Sequence, residues 1–281
     1  MRYSPLRYPG GKGKISKFMK EFVKSNFDKK PCYIEPYVGG AEIALTLLLE
    51  NYVRKIHIND KDYGIYCFWK SILENTDDFI KLIEDTPVNI KTWKIQKKIY
   101  ISQDKHTDLE IGFATFFLNR CNYSGVIKGG PIGGMQQTGK WKIDARYNKK
   151  DLIEKIKKIS EYKSKINLYN EDTLHFLKKQ KTKIKKCLLY LDPPYYIKGY
   201  QLYKNHYIKS DHIDIANCIK NLQGTWIVSY DNTPEIVDLY KFVNSKKIRE
   251  FNISYSAGKN KIGKEIMFFS KNSLIPDCAI C

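Results

Sequence analysis

The sequence predicts an α/β fold built on a mostly parallel sheet, and three features lead to this expectation. Residues 187–191 form a continuous apolar run, which is typical of a strand buried on both faces. Residues 33–60 have the pattern of a strand, a glycine turn, a leucine-rich helix and a second strand. Beyond residue 165, short strand-like segments recur with room for helices between them.

The first strand–helix–strand segment has the order of a nucleotide-binding βαβ unit. Gly39 and Gly40 follow the first strand, the helix covers residues 42–50, and the second strand ends at Asp60. Glycines let the backbone approach a ligand closely, and an acidic residue at this place accepts hydrogen bonds from ribose hydroxyls. The turn lacks the complete GxGxxG pattern that binds pyrophosphate. The segment therefore favours a ligand that contains adenosine but no phosphate.

A mainly helical insertion is predicted for residues 63–162. Within it, residues 125–139 contain too many glycine and polar turn residues for a packed element, and we expect a mobile loop there. The expected helices cover residues 65–73, 78–83, 91–101, 108–119 and 149–163. A single α/β domain would then comprise residues 1–62 and 163–281.

After the insertion the strand pattern resumes and ends in a predicted hairpin. Residues 256–260, which contain Gly258 and Asn260, are typical of a hairpin loop. The predicted strands cover residues 166–169, 187–191, 225–230, 248–255 and 265–270.

The charge balance favours a polyanionic partner. The chain has 49 Lys and Arg residues against 30 Asp and Glu residues, which gives a net charge of +19. Such a surplus raises the local concentration of nucleic acid and speeds encounter with it. The alternative is an A/T-rich genome that favours lysine codons, but this would explain the abundance of lysine and not the imbalance between the two signs.

The cysteine pattern and the apolar runs indicate a soluble protein of the cytoplasm. Seven cysteines without regular spacing are typical of a reducing compartment. Cys278 and Cys281 form a CxxC pair with no second pair and no histidine nearby, so no metal site is expected. The N-terminus lacks the apolar stretch of a signal peptide, and no apolar run approaches membrane-spanning length.

A rigid turn follows the apolar run of residues 187–191. It consists of Asp192, Pro193, Pro194 and Tyr195. A carboxylate in this position lies on the edge of the sheet where open α/β folds bind ligands. The prolines fix the backbone, and Pro193 offers a carbonyl but no N–H group. Two acceptors beside an aromatic ring suit a planar amino group. The alternative is a surface turn with a buried aromatic residue.

Five motifs follow one another along the chain: residues 6–12 (LRYPGGK), residues 35–40 (EPYVGG), Asp60, residues 170–172 (NED) and residues 192–195 (DPPY). Taken in this order, they resemble the motifs of the Dam-like DNA adenine-N6 methyltransferases of the D12 class, alpha group, in which the target-recognition domain precedes the DPPY motif. The resemblance implies the Rossmann-like fold of S-adenosylmethionine-dependent methyltransferases. That fold has a mostly parallel seven-stranded sheet with a C-terminal antiparallel hairpin, and here the target-recognition domain would be residues 63–162.

The same resemblance implies the site residues. The catalytic residues would be Asp192, Pro193, Pro194 and Tyr195. The residues that bind S-adenosylmethionine, and its product S-adenosylhomocysteine, would be Tyr8, Gly10, Gly11, Lys12, Glu35, Tyr37, Gly39, Gly40, Asp60, Asp172 and Asp192.

The implied activity is site-specific methylation of adenine N6 in duplex DNA, EC 2.1.1.72. Asp192 and the carbonyl of Pro193 would accept hydrogen bonds from the adenine amino group, while Tyr195 stacks on the base. The base must first be flipped out of the duplex. The aromatic residues that could line or close the pocket are Tyr196, Tyr200, Tyr203 and Tyr207, most of which we expect to serve in packing.

The expected DNA-binding residues lie in and near a segment that resembles the one with which Dam enzymes read GATC. Tyr123 falls where that family has a base-stacking aromatic residue, and Arg120 where a basic residue holds the loop or a phosphate. For Arg120 an intramolecular ion pair is the alternative. GATC readers have an arginine at the position of Lys128, and lysine cannot form the same bidentate contact with guanine. The full expected set is Arg120, Tyr123, Ser124, Lys128, Gln136 and Gln137.

Three other functions remain open from the sequence. Methylation of an RNA adenine would use the same pocket, although the chain has no RNA-binding appendage. Protein-glutamine methyltransferases usually have Asn in place of Asp192. A catalytically silent DNA-binding subunit of a restriction system would not need Asp192, Asp60 and Lys12 intact.

The expected partners and location follow from the same resemblance. The main partner would be double-stranded DNA, with a separate restriction endonuclease as a further partner, and no membrane association is expected. The chain would act as a monomer or weak dimer, associated with DNA in the bacterial cytoplasm or encoded by a phage.

Overall fold

The computed structural model describes residues 2–7, 15–196, 207–255 and 261–280. Within these ranges the chain forms two compact units. One contains residues 3–7 and 62–164, and the other contains the remaining residues from position 15 onward. Residues 3–7 thus group with the helical insertion, whereas the sequence placed them with the sheet. Two hydrogen bonds account for this: the Arg7 N–H donates to Asn119 Oδ1 (2.7 Å), and Asn119 Nδ2 donates to the Arg7 carbonyl (2.8 Å).

The second unit contains a sheet of seven strands, which confirms the predicted fold class. The order is β3-β2-β1-β4-β5-β7-β6, with β7 antiparallel to both of its neighbours and the other pairs parallel. The strands are β1 (Cys32–Glu35), β2 (Lys55–Asn59), β3 (Ile166–Tyr169), β4 (Cys187–Leu191), β5 (Thr225–Asp231), β6 (Ile248–Tyr255) and β7 (Lys261–Phe269). Residues 256–260, the predicted hairpin loop, lie outside the described residues.

Ten α-helices occur in the described ranges. They are α1 (Ser16–Asn26), α2 (Glu42–Leu49), α3 (Tyr63–Glu74), α4 (Thr76–Asp85), α5 (Ile90–Ile101), α6 (Asp108–Cys121), α7 (Lys149–Ser160), α8 (Thr173–Ile184), α9 (Lys209–Lys220) and α10 (Pro234–Leu239). The sequence predicted the approximate bounds of α2 to α7. The helices α8, α9 and α10 were expected only as helices between successive strands, without bounds, and α1 was not anticipated. None of the described helices is both long and apolar enough to span a membrane.

The core of the sheet unit lies around β4, whose five residues are all buried. Because parallel strands are covered by helices on both faces, a strand at this position needs an uninterrupted apolar sequence. Aromatic side chains fill the space beside it: the rings of Tyr240 and Phe268 stack with centroids 4.5 Å apart. Leu191, the last residue of β4 before the turn of residues 192–195, belongs to the same buried cluster.

The helical unit is built around α6. A capping box starts this helix, since the Thr107 side chain accepts from the Glu110 N–H and the Glu110 carboxylate accepts from the Thr107 N–H. Almost every residue of α6 from Ile111 onward is buried. Its Phe116 ring stacks on Phe68 of α3, with centroids 5.8 Å apart. A helix that is apolar on all sides belongs in the middle of a bundle.

Beyond the 3-10 turn that ends at Gly125, residues 126–139 contain no helix or strand, in line with the prediction of a loop, but hydrogen bonds fix much of their course. The Asn122 amide nitrogen donates to the carbonyls of Val126, Ile127 and Gly129 at 2.9, 2.9 and 3.2 Å. Its oxygen accepts from Trp93 Nε1 at 2.7 Å. The glycine content that predicted a mobile loop gave no sign of these bonds.

No group of three His, Cys, Asp or Glu side chains among the described residues is placed to bind a metal ion. Cys278 is partly buried and forms no disulfide with another described cysteine. Cys281, the other cysteine of the CxxC pair, lies outside the described residues.

Candidate active site at the carboxyl edge of the sheet

Three carboxylates lie at the carboxyl ends of adjacent parallel strands. Glu35 is the last residue of β1, Asp60 directly follows β2, and Asp192 directly follows β4. Because β1 lies between β2 and β4, the three side chains share one edge of the sheet. This is the edge at which open α/β sheets bind ligands.

Glu35 is the most buried of the three. Its side chain is 5% exposed, and Oε2 has no hydrogen-bond partner among the described residues. Burial raises the pKa of Glu35 well above its ordinary value, and the negative charges of Asp192 and, to a smaller extent, Asp60 add to this rise. A buried polar atom without a partner at a ligand-binding edge is a candidate ligand contact.

The turn after β1 has a left-handed backbone. Gly39 and Ala41 have φ of +44° and +54°, and the Ala41 N–H donates to the Val38 carbonyl at 2.7 Å. The Gly39 N–H donates to Asp60 Oδ2 at 2.9 Å, so the carboxylate after β2 holds the turn after β1. Gly40, the residue between Gly39 and Ala41, is buried. For Ala41 this conformation is strained, and such strain is often found at functional sites.

Asn59, the last residue of β2, connects the ends of three strands. The side chain is fully buried. Its Nδ2 donates to the carbonyls of Pro36 and Glu171, both at 3.1 Å, and its Oδ1 accepts from the Glu171 N–H at 2.9 Å. The sequence reasoning missed this residue. The available signal was a polar residue at the end of an alternating strand, directly before Asp60.

The segment after β3 is tied to the same edge. Asn170 Nδ2 donates to the Asp60 carbonyl at 2.7 Å. Asp172 caps α8, accepting from the Leu174 N–H at 3.0 Å, and forms an ion pair with Lys61 at 3.0 Å. Burial opposes ionisation of Asp172, but the hydrogen bond and charge of Lys61 and the backbone N–H groups of Leu174 and His175 together outweigh it, so the pKa of Asp172 is lowered. The cofactor contact predicted for Asp172 stays a prediction.

The turn after β4 is held by β5. The Ser229 hydroxyl donates to Asp192 Oδ1 at 2.7 Å, and the Tyr190 hydroxyl lies 2.8 Å from the same Ser229 oxygen. Pro193 is buried and Pro194 is half-buried. One oxygen of the Asp192 carboxylate therefore has a fixed hydrogen-bond donor in the sheet.

Tyr195 points its hydroxyl into the protein. It donates to Glu265 Oε1 at 2.8 Å, and the tyrosine side chain is 5% exposed. The next residue, Tyr196, donates its N–H to Asp231 Oδ1 at 2.9 Å. Asp231 and Glu265 are directly opposite each other on β5 and β7. Neither carboxylate was singled out from the sequence, although Asp231 directly follows one predicted strand and Glu265 begins another.

Among the candidate pocket tyrosines, Tyr207 contacts the loop after β1. Its hydroxyl lies 2.8 Å from that of Tyr37, and the two rings meet edge to face at 5.9 Å. Burial, the main cause, raises the pKa of Tyr207 to about 12. The candidates Tyr200 and Tyr203 lie outside the described residues, as do the predicted cofactor residues Tyr8, Gly10, Gly11 and Lys12.

Comparison with known families decides the assignment. Residues 8–256 match the model of the D12 class N6 adenine-specific DNA methyltransferases, which is nearly the whole chain. The chain belongs to this family. No curated protein matches the sequence.

Solved structures of other methyltransferases show a distant likeness. A protein described as an RNA methyltransferase from Pyrococcus horikoshii shares 9% identity, with 95% of this chain and 86% of that chain covered and a TM-score of 0.44. A SAM-dependent methyltransferase from Agrobacterium tumefaciens shares 7%, covering 90% and 60%, at a TM-score of 0.42. An rRNA methyltransferase from Streptomyces viridochromogenes shares 8%, covering 91% and 82%, at 0.38. At such values these likenesses carry no information about the substrate of this chain.

The cofactor of this D12-class methyltransferase is S-adenosylmethionine, and the carboxyl edge of the sheet fits it. The Glu35 Oε2 atom has no hydrogen-bond partner among the described residues and suits a cationic group, and the cofactor carries an ammonium and a sulfonium. Asp60 would hold the ribose hydroxyls beside the left-handed turn that it supports. When bound, the cofactor supplies an activated methyl group.

The predicted DNA-binding residues of the helical unit fall into an exposed group and an internal group. Tyr123 is 62% exposed, Lys128 and Gln136 are exposed, and Ser124 has a left-handed backbone with φ of +55°. A further exposed aromatic residue, Trp141, was missed by the sequence reasoning. The Lys140 ammonium lies 5.8 Å from the centre of its ring.

Arg120 and Gln137 make internal hydrogen bonds. The Arg120 guanidinium donates to the carbonyls of Pro5 and Arg146. Burial, helped by the charge of Arg7, lowers the pKa of Arg120 to about 10. This geometry favours the loop-holding role expected for Arg120, with backbone carbonyls in place of an acidic partner.

Gln137 has both ends of its amide engaged. Its Nε2 donates to the carbonyls of Ile132 and Gly134 at 2.8 and 2.6 Å, and its Oε1 accepts from the Ile143 N–H at 2.8 Å. In this conformation the side chain holds the glycine-rich loop, and base reading by Gln137 stays a prediction.

Proposed function

We propose that this D12-class methyltransferase transfers the methyl group of S-adenosylmethionine to N6 of an adenine flipped out of duplex DNA. The observation that carries the proposal is the turn of residues 192–195 at the carboxyl edge of the sheet. It presents the Asp192 carboxylate, oriented by Ser229, beside the carbonyl of Pro193, a residue that has no N–H group of its own.

Two acceptors are what the reaction requires from the protein. The lone pair of the adenine amino group is delocalised into the ring, which makes the nitrogen a weak nucleophile. Hydrogen bonds from its two protons to Asp192 and to the Pro193 carbonyl favour a pyramidal nitrogen and stabilise the positive charge that develops during transfer. Because the nitrogen is neutral before the reaction, orienting it towards the methyl group contributes more to the rate than removing a proton from it.

The charge of the chain and the exposed residues of the helical unit support duplex DNA as the substrate. A net charge of +19 favours binding to the phosphate backbone. Tyr123 and Trp141 offer exposed rings for stacking on bases, and Lys128 and Gln136 are exposed polar side chains near the same loop. Stacking of this kind assists extrusion of a base from the duplex.

The test is direct measurement of the product. The purified chain is incubated with S-adenosylmethionine bearing a labelled methyl group and with duplex DNA, single-stranded DNA or RNA, and the nucleosides are separated by mass spectrometry. We expect labelled N6-methyladenine from duplex DNA. Label confined to RNA, or no transfer to any of the three, would contradict the proposal.

A second measurement identifies the target site. DNA from a methylation-free host that expresses the chain is sequenced with a readout of modified adenines. We expect one short sequence to be methylated at nearly every occurrence. A restriction endonuclease partner is also proposed, and co-purification of a nuclease that cuts the same unmethylated sequence would support it.

A further inference from the structure

Two buried hydroxyl groups are linked to Asp192 by a chain of hydrogen bonds, and neither belongs to a motif of the family resemblance. Tyr190 and Ser229 are both fully buried, on the adjacent parallel strands β4 and β5. Tyr190 precedes Asp192 by two residues, and the Ser229 oxygen lies between them, 2.8 Å from the Tyr190 hydroxyl and 2.7 Å from Asp192 Oδ1.

The direction of this hydrogen-bond chain follows from the chemistry of its members. An ionised carboxylate only accepts hydrogen bonds, so the single proton of the Ser229 hydroxyl points to Asp192. The Ser229 oxygen must then accept from Tyr190, whose hydroxyl donates. A hydrogen bond to a charged acceptor is roughly twice as strong as one between neutral groups, and each member of such a chain polarises the next.

We propose that Ser229, with Tyr190 behind it, is a positioning residue that fixes the orientation of the Asp192 carboxylate for methyl transfer. The inference rests on the proposed function, because it assigns Asp192 the role of acceptor from the adenine amino group. Loss of the Ser229 donor would remove one restraint on the carboxylate and allow it more rotation about its terminal bond. The acceptor would then be in the reactive orientation for only part of the time.

The alternative is that the two hydroxyl groups only satisfy each other in the core. The two explanations predict different kinetics. A purely structural pair affects the stability of the protein, whereas a positioning pair affects kcat with little change in KM, since the interaction matters most in the transition state. Ser270 provides a matched control: it is a buried serine near the end of β7 whose hydroxyl accepts from the Trp226 N–H at 3.2 Å, away from Asp192.

The experiment compares the full-length variants Ser229→Ala, Ser229→Thr, Tyr190→Phe and Ser270→Ala in the labelled methyl-transfer assay on duplex DNA. For Ser229→Ala we expect kcat to fall roughly 10- to 100-fold, with KM for DNA and for S-adenosylmethionine within about threefold of wild type. Tyr190→Phe should lower kcat roughly threefold to tenfold, because Ser229 is retained. Ser229→Thr keeps the hydroxyl and should recover most of the rate, and Ser270→Ala should leave kcat unchanged.

The possible failures are distinguishable. A wild-type chain that forms no N6-methyladenine would overturn the proposed function and the inference with it. An active wild type with unchanged kcat in Ser229→Ala would overturn the inference alone. Equal losses in Ser229→Ala and Ser270→Ala would do the same. If Ser229→Ala does not fold, Tyr190→Phe decides, and a wild-type kcat in that variant counts against the inference.

Discussion

The hydroxyl of Tyr195 donates a hydrogen bond to Glu265 Oε1 at 2.8 Å, and both side chains are buried. This bond fixes the last residue of the turn after β4 to a strand that lies two positions away in the sheet. The hydrogen bond thereby holds the hydroxyl end of the ring that we expect to stack on a base.

Two substitutions of Tyr195 distinguish the contribution of its ring from that of its hydroxyl. Tyr195→Phe keeps the ring and removes the donor to a buried carboxylate, so the free energy of unfolding should fall by about 1–3 kcal/mol. Because the ring remains, kcat should stay within about tenfold of wild type, whereas Tyr195→Ala should lose most activity. Chemical denaturation and the methyl-transfer assay measure the two effects. Equal activity of the Phe and Ala variants would contradict a role for the ring.

Asp192 is expected to be indispensable for transfer and dispensable for binding. Asp192→Ala removes the carboxylate acceptor, and Asp192→Asn keeps one acceptor but adds a donor that must avoid the adenine amino group. We expect kcat to fall at least about 100-fold in both, the scale of one lost preorganised contact. Affinity for DNA should remain largely intact, and affinity for the cofactor should fall much less than kcat, because the other expected cofactor residues are kept. Near-normal single-turnover rates in both variants would refute the assigned role.

Asp60 is expected to contribute to cofactor affinity. Asp60→Ala should weaken binding of S-adenosylmethionine by about 1.5–3 kcal/mol, the scale of a charge-assisted hydrogen bond to a ribose. It also removes the acceptor for the Gly39 N–H, so a change in the turn contributes to the effect. Asp238→Ala, at an exposed surface ion pair, is the control. Calorimetry that finds equal affinities for the two variants would place the ribose elsewhere.

The strands of the sheet were more predictable than the helices that cover it. β3, β4 and β6 begin and end where the hydrophobic pattern placed them. In α8 the buried positions, Phe176, Leu177 and Ile184, are spaced among lysines, so the segment has the appearance of a solvated charge run. The helix forms because one narrow apolar face packs on the sheet while the lysines point outward.

The motifs of the site were visible in the sequence, but the residues that hold them were not. Asp192 and Ser229 are 37 positions apart, and Tyr195 and Glu265 are 70 positions apart. The order of the strands in the sheet brings each pair together, and that order is a tertiary property. Local patterns therefore indicated where the carboxylates end their strands, without indicating which side chains orient them.

Gln136 and Gln137 are adjacent residues of one type with different expected roles. Gln136 is exposed, whereas Gln137 has φ of +53° and holds the loop through its side-chain amide. Gln137→Ala should lower the free energy of unfolding by about 1–3 kcal/mol and weaken binding to all DNA sequences, because the loop loses its internal hydrogen bonds. Gln136→Ala should leave stability within about 0.5 kcal/mol.

The DNA readouts of the two glutamine variants differ as well. A base contact by Gln136 would relax discrimination at one position of the methylated site, and Lys128→Ala should do the same if Lys128 reaches a base edge. If Lys128 contacts a phosphate instead, Lys128→Ala should weaken binding to all DNA sequences alike and reduce the salt dependence of binding. Methylation profiles and binding at several salt concentrations distinguish these cases. Equal stability losses in Gln136→Ala and Gln137→Ala would contradict the loop-holding role of Gln137.

His212 makes the stability of the sheet unit sensitive to acid. The side chain is 1% exposed, its Nδ1 lies 3.0 Å from the Tyr230 hydroxyl, and burial lowers the pKa of His212 to about 4. A histidine with a lowered pKa binds fewer protons in the folded state than in the unfolded state. Stability is therefore unaffected above about pH 6.5 and falls as the pH drops from there towards 4. Over that interval the loss from this one group is about 3 kcal/mol.

His212→Gln removes the titrating group and keeps a side chain that can hydrogen-bond to Tyr230. Urea unfolding between pH 4 and pH 7.5 should show a shallower decline for this variant than for wild type. Some decline should remain, because burial also lowers the pKa of His57 to about 4 and its contribution has the same sign. The exposed His175, changed to Gln, serves as the control and should follow the wild-type curve. If His212→Gln and His175→Gln have the same pH dependence, His212 is not the acid-sensitive group.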